Sequence, residues 1–150
     1  MSVVLITGST GLVGSEAVNF FCRKGFDVIG IDNNSRQVFF GKDGDISWVR
    51  TNLIKSYKNY FHKNIDIRNY PALEKIFKKY KNSIKLVIHS AAQPSHDWAK
   101  KRPFVDFNIN ALGTLNLLNL TKKYSYHSPF IFMSTNKVYG DNPNLLPKKT

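Results

Sequence analysis

Three glycines close to the N-terminus set the first chemical expectation. Thr7-Gly8-Ser9-Thr10-Gly11-Leu12-Val13-Gly14 stands between an apolar run and a helix-forming segment. A glycine at position 8 permits a sharp turn, one at 11 lets backbone approach a pyrophosphate, and one at 14 allows close packing of helix on strand. The helix that follows would offer free N–H groups and its positive dipole end to the phosphates. Thr10, Leu12 and Val13 lie inside the turn and share that role. An ordinary strand-to-helix turn could carry the same glycines, but the flanking strand and helix favour an anion cradle.

Asp32 closes the next apolar run. A carboxylate there accepts hydrogen bonds from the adenosine ribose hydroxyls and repels a 2′-phosphate. Asn33 and Ser35 continue the same turn, and a plain turn aspartate beside them is the alternative. Arg36 complicates the choice, because an arginine here can pair with the extra phosphate of NADP. The carboxylate at the strand tip favours NAD.

Short apolar runs alternate with helical patterns, the mark of an α/β chain built from βαβ units. Strands are expected at Val3 to Thr7, Asp27 to Asp32, Tyr60 to Ile65, Leu86 to Ser90 and Phe130 to Ser134. Leu12 to Lys24 reads as a helix closed by Gly25, and Pro71 opens another that runs to about Tyr80. From Asn33 to Asn59 the pattern is less regular, with a loop at Gly41 to Gly44 and a short helix over Ile46 to Lys55. A long helix over Phe104 to Tyr124 carries Phe107, Ala111, Leu115, Leu118 and Leu120 as its apolar positions. After Tyr139 the sequence turns to a loop. With 150 residues and 42% hydrophobic content, one core is the expectation rather than two.

Lys and Arg total 22 against 10 Asp and Glu, a formal net charge of +12. That balance would suit nucleic acid, but the cations are scattered. The densest group, Lys75, Lys78, Lys79, Lys81 and Lys85, lies on and after a helix whose other face is Leu73, Ile76, Phe77 and Tyr80. A solvated lysine face is therefore expected, with no nucleic-acid partner. The excess is compatible with anionic cofactors and nucleotide sugars.

The single cysteine, Cys22, sits among Val18, Phe20 and Phe21, so a buried structural thiol is expected and no intrachain disulfide can form. His62, His89, His96 and His127 show no ligand spacing, and no metal is expected. His89 reads as a core histidine, whereas His96 with Asp97 is a candidate on the substrate side. No stretch approaches the roughly 18 consecutive apolar residues of a membrane helix, and no signal core is present. The expectation is a reducing, cytoplasmic setting without a membrane partner.

The Thr7-Gly8-x-x-Gly11-x-x-Gly14 turn resembles the extended short-chain dehydrogenase/reductase family, in particular its nucleotide-sugar epimerases and dehydratases. Further segments match in order: Asp66-Ile67-Arg68; His89-Ser90-Ala91-Ala92-Gln93; Asn110-Ala111-Leu112-Gly113-Thr114; and Ser134-Thr135-Asn136-Lys137-Val138-Tyr139-Gly140. The resemblance implies that Asp66 and the Ile67 amide contact adenine. It also implies that Ala91, Ala92 and Gln93 pass the phosphates and inner ribose, and it adds Asn110 to the cofactor-binding set. Thr135 is implied to hydrogen-bond the sugar hydroxyl being oxidised, as the catalytic residue within this chain.

The stretches Ala91 to Asp97, Ser134 to Asp141 and Asp32 to Arg36 are similar to the CDP-paratose 2-epimerase group. That likeness implies a CDP-sugar substrate, oxidation at the sugar C2, a keto intermediate and reduction on the opposite face. In the family a Tyr-x-x-x-Lys pair lies downstream of Thr135. No tyrosine of this sequence is followed by lysine at the fourth position, and Tyr139 is the motif's structural tyrosine. The chain therefore reads as the NAD-binding portion, residues 1–150, of a longer enzyme, stopping before the later strands and the sugar-binding domain. The expected fold is a Rossmann-like doubly wound parallel sheet of about five strands in order 3-2-1-4-5. A homodimer through the Phe104–Tyr124 helix is implied for the full-length protein.

Overall fold

Residues 2–134 are described by the computed structural model. Five strands, β1 (Val3–Thr7), β2 (Asp27–Ile31), β3 (Tyr60–Lys63), β4 (Ile84–His89) and β5 (Phe130–Phe132), form one parallel sheet. Their order is β3-β2-β1-β4-β5, as the alternation and the resemblance implied. Central β1 is buried along its whole length, since helices cover both faces.

Alternation along the strands divides the apolar side chains between two cores. Val3, Leu5, Ile29 and Ile31 face one way, onto α4 (Tyr70–Tyr80) and α7 (Gly113–Tyr124) through Leu73, Phe77, Leu117 and Leu120. Val4, Ile6 and Val28 face the other way, onto α1 (Leu12–Arg23) and α3 (Ser47–Ser56) through Val18, Cys22 and Leu53. The Cys22 thiol is buried, and desolvation raises its pKa to about 11, so it is an inert structural thiol.

Local signals explain several element ends. Gly25 follows α1 at φ 84°, a conformation costly for any side chain with a Cβ. Asn69 caps α4 by accepting a bond from the Ala72 N–H at 3.1 Å, with Pro71 in the first turn. On α4, Leu73, Ile76 and Phe77 are buried while Lys75, Lys78 and Lys79 are exposed. Glu74 fastens α4 to α7: its Oε1 accepts from Tyr124 Oη at 2.6 Å and from Lys123 Nζ at 2.9 Å. These bonds lower its pKa to about 2.

Several expectations change. β3 ends at Lys63 and β4 at His89, while β4 starts earlier, at Ile84. The stretch after Asn33 is more ordered than its pattern suggests: α2 (Ser35–Phe40) runs into a 3-10 turn at Gly41–Gly44 before α3. A short helix, α5 (His96–Lys101), was also not anticipated, although Ser95 is a good cap and accepts from the Trp98 N–H at 3.3 Å.

The expected long helix is α6 (Pro103–Phe107), a π turn at Asn108–Leu112, and α7. Its apolar positions divide between two faces. Leu120 points inward with Ile109, Asn116 and Leu117, whereas Phe107, Leu115 and Leu118 are 63%, 60% and 44% exposed. Gly113 lies on the inward face, where a Cβ would stand 2.6 Å from Ile67 Cδ1 and press on that side chain.

Phe77 is fully buried between the sheet and α4. Phe77→Ala should cost about 3–5 kcal/mol, read as a lower urea midpoint with an unchanged slope. A loss below about 1 kcal/mol would mean that this face is loosely packed.

Candidate functional site

β1 ends at Thr7, and the chain reverses at Gly8 with φ 66°, its N–H bonded to the Ile31 carbonyl at 2.8 Å. A Cβ on Gly8 would stand 2.7 Å from the Ala91 nitrogen, and one on Gly14 would stand 1.9 Å from the Gly8 oxygen. Only hydrogen fits at either place. Gly11 has room, with nothing nearer its would-be Cβ than the Gly8 oxygen at 3.3 Å, and it lines the open side of the turn. The first N–H of α1 to find a helical acceptor is that of Ser15, bonded to Gly11 at 2.9 Å. The N–H groups of Leu12, Val13 and Gly14 are left for a ligand at the positive end of the helix.

A cleft of about 310 Å³ opens in front of this turn, across the carboxyl ends of the strands. Gly8, Gly11, Leu12, Val13 and Gly14 form its floor. Asp32, Asn33, Ser35 and Arg36 line one side, with Asp66 and Ile67 beyond them. Ala91 and Ala92 line the other side, ahead of Met133 and Ser134. The sequence thus foresaw most of the lining. It missed Phe39, Ile46 and Pro94, which come from irregular segments.

The polar groups on the Asp32 side hold one another in place. Asp32 accepts from the Thr10 N–H at 3.0 Å and from the Asn34 N–H at 2.8 Å, so it fixes the glycine turn and the following loop together. Asn34 takes φ 57°, its amide donating to Asp45 at 2.7 Å and accepting from the Ile46 N–H at 3.1 Å. This clamp returns the chain to Ile46 in the cleft wall, and the bonds from Ser47 and Asn34 hold the Asp45 pKa low. Asp66 accepts two bonds from the Arg68 guanidinium, at 2.9 and 2.6 Å, and one from Asn33 at 3.0 Å. The Arg68 contact is the largest cause of its lowered pKa. The Arg36 guanidinium lies over the Phe40 ring at 4.8 Å. On the rim, Phe39 of α2 meets Trp98 of α5 edge-on at 5.3 Å, joining the two sides.

Three expected residues do not line the cleft. Thr10 contributes its N–H to Asp32 rather than a side chain to the wall. Gln93 is 5% exposed; its amide donates to Asp106 at 2.8 Å and to the Ser95 carbonyl at 2.9 Å. Asn110, in the π turn, accepts from the Gln93 N–H at 2.8 Å and donates to Asp106 at 3.0 Å. Both are behind the Ala91–Ala92 wall, which they hold by its backbone. Thr135 lies outside the described residues.

Behind the cleft sit two histidines, His89 buried and His62 half-buried. His89 bonds Thr7 Oγ1 through Nδ1 at 2.7 Å and Thr114 Oγ1 through Nε2 at 2.8 Å, the satisfied core histidine that was expected. His62 Nδ1 meets Tyr60 Oη at 3.2 Å, and Tyr60 Oη meets Ser9 Oγ at 3.0 Å beneath the glycine turn. Nε2 of His62 is buried without a partner. His96 starts α5, away from the cleft lining. Among the described residues, no three His, Cys, Asp or Glu side chains are grouped to hold a metal, and no helix is long and apolar enough to cross a membrane.

A parallel sheet with a glycine turn opening a helix, a strand-tip carboxylate and a cleft at the carboxyl ends defines a dinucleotide-binding class of domain. Comparison with known proteins narrows it. Residues 4–150 match the family model for the NAD dependent epimerase/dehydratase family, and the chain belongs to that family. It is 36% identical over 138 residues to a CDP-paratose 2-epimerase of Salmonella typhi, covering 92% of this chain and 38% of that protein. To a UDP-glucuronate 4-epimerase of Thermodesulfobacterium geofontis it is 34% identical over 144 residues, covering 95% and 42%. The UDP-glucose 4-epimerase of Thermotoga maritima, solved with UDP-glucose, superposes with a TM-score of 0.73 at 29% identity, over 93% of this chain and 40% of that one. The Bifidobacterium longum enzyme, solved with NAD+ and UDP, gives 0.71 at 28% identity, over 93% and 38%. The chain thus spans about two fifths of the length of these relatives.

Burial lowers the His89 pKa from 6.5 to about 4, and burial lowers that of His62 as well. The unfolded chain then takes up the proton more readily than the folded one. Stability from His89 is complete above pH 6.5 and is lost as the pH falls toward about 4, by up to about 3 kcal/mol. Urea midpoints measured across that window should fall. A midpoint that stays level would show that the folded ring accepts the proton freely.

Proposed function

We propose that this chain is the NAD-binding portion of a nucleotide-sugar epimerase, residues 1–150 forming the front of its Rossmann-like domain ahead of a sugar-binding domain. The observation that carries the reading is the side-chain-free turn from Gly8 to Gly14, open at Gly11 and facing the cleft. Its free N–H groups suit a pyrophosphate that α1 would hold at its N-terminus. Asp32, with Asn33, Ser35 and Arg36, takes the adenosine ribose; Asp66 and Ile67 take the adenine. Ala91 and Ala92 pass the inner ribose, with Gln93 and Asn110 holding that loop. Held by these residues, NAD would supply a reversible hydride acceptor for the sugar carbon, so that no net oxidation results. Thr135 hydrogen-bonds the sugar hydroxyl. The 150 residues contain no Tyr-x-x-x-Lys pair, so the isolated chain binds cofactor without turning over sugar.

The particular reading is a CDP-paratose 2-epimerase, acting at the sugar C2. The 36% identity to that enzyme supports it, but the 34% identity to a UDP-glucuronate 4-epimerase is nearly equal. The two stretches Ala91 to Asp97 and Ser134 to Asp141 tip the choice. Another epimerase or a 4,6-dehydratase of the same family is the second reading, favoured by a likeness to a dTDP-glucose 4,6-dehydratase of Bacillus anthracis with a TM-score of 0.70 and 25% identity. The exposed stripe of Phe107, Ala111, Leu115 and Leu118, running from α6 through the π turn into α7, suits pairing with a second copy in the complete protein.

Calorimetry should show NAD binding by the chain, and Asp32→Ala should weaken NAD more than NADP. Absence of any NAD binding removes the reading, and an unchanged preference in the variant removes Asp32 from the ribose. The complete gene product should turn over a CDP-sugar; turnover of UDP-sugars alone would overturn the 2-epimerase choice.

A further inference from the structure

Thr7 and His89 are partners across the β1–β4 pairing, just where both chains leave the sheet for the cleft. The Thr7 carbonyl accepts from Ser90 Oγ at 2.7 Å, and its hydroxyl oxygen accepts from the Ala91 N–H at 3.3 Å. On the far side of the imidazole, Thr114 donates its hydroxyl hydrogen to the Asn110 carbonyl at 2.6 Å. That carbonyl has no proton to give, so Thr114 Oγ1 can only accept from the ring.

The proton count then fixes the imidazole. Nε2 carries the hydrogen and donates to Thr114, which leaves Nδ1 bare to accept from the Thr7 hydroxyl. One directed chain results, from the Ala91 N–H through Thr7, His89 and Thr114 to the Asn110 carbonyl. Asn110 in turn holds Gln93, accepting from its N–H at 2.8 Å and donating to its carbonyl at 3.3 Å. Both ends of the Ala91–Gln93 segment are thereby anchored, with the ring between the anchors. Phe130 and Phe132 hold the ring at 6.1 and 5.6 Å between centroids.

We infer that His89 is a positioning residue for the dinucleotide: its Nε2–H tautomer sets the Ala91–Ala92 wall of the cleft through Thr7 and Thr114. The inference rests on the NAD reading above. An imidazole suits the place because it accepts at one edge and donates at the other within a flat ring. An apolar core side chain would fill the space but would leave both hydroxyls without their partner.

Thr7→Val and Thr114→Val keep side-chain shape and break the chain on opposite sides of the ring. Each should weaken NAD roughly tenfold, while AMP, which reaches only the Asp32 and Asp66 side, binds as before. The double variant should be no worse than either single one, since Thr7 and Thr114 couple only through the ring. His89→Gln, which keeps an acceptor and a donor, should recover part of what His89→Leu loses. Imidazole nitrogen NMR should find the proton on Nε2. Equal loss of NAD and AMP, additive losses, or a proton on Nδ1 would each overturn the inference. A wild-type chain that binds neither nucleotide would instead remove the NAD reading on which it stands.

Discussion

The first turn of α1 is pressed against the carbonyl of Gly8, so closely that a methyl group on Gly14 would overlap that oxygen at 1.9 Å. Most of the cleft depends on this contact. It brings the helix N-terminus to the end of β1, where its unbonded N–H groups face outward, and it holds Gly8 against Ser90 and Ala91. The glycine turn is therefore also a joint between three pieces of chain. Its backbone is close-packed on two sides and open on the third, beside Gly11. A ligand with a flexible, doubly charged middle suits that opening, because backbone amides and a helix dipole can meet it without a side chain intervening.

Around the joint, polar side chains act mainly on backbone. Asp32 receives amides from the loops on either side, Asn34 and Asp45 close the next loop, and Asn110 and Gln93 close the one after β4. Loops that carry a site otherwise tend to be the mobile parts of a domain. Here each loop at the cleft is tied by at least one buried or half-buried amide or carboxylate. These anchors limit what ordering a ligand must impose, which is how preorganisation raises affinity. Asp32 illustrates the economy of the arrangement: one carboxylate braces two loops and still faces the cleft.

Family membership accounts for the architecture, and the relatives named above are epimerases and a dehydratase of CDP-, UDP- and dTDP-sugars. The chain covers the cofactor side of those proteins and about two fifths of their length. At the rim lie α2 with its Phe39, the edge contact to Trp98, and Arg36 resting on Phe40. These shape the entrance beside the adenosine side of the cleft.

The strands, the glycine turn and the strand-tip carboxylate could be read directly from residue type and spacing, because each reflects a local requirement. A left-handed turn favours glycine, a buried parallel strand favours β-branched residues, and a helix start favours a cap. Thirteen of the expected cofactor residues come together on one cleft for that reason. The face of α4 was legible because its lysines segregate from Leu73, Ile76 and Phe77, whereas that of α7 was not, because apolar residues lie on both its sides. Phe107, Leu115 and Leu118 are as apolar as Leu117 and Leu120, yet only the latter two meet the core over the sheet. Gln93 and Asn110 sit in a cofactor motif, yet their side chains bond each other's surroundings across a separation no spacing rule records. The tautomer of His89 is fixed by Thr7 and Thr114, residues far from it in sequence. Sequence determined which local conformations the backbone could take; only packing decided which side of α7 met the core, because that depends on partners brought together from distant parts of the chain.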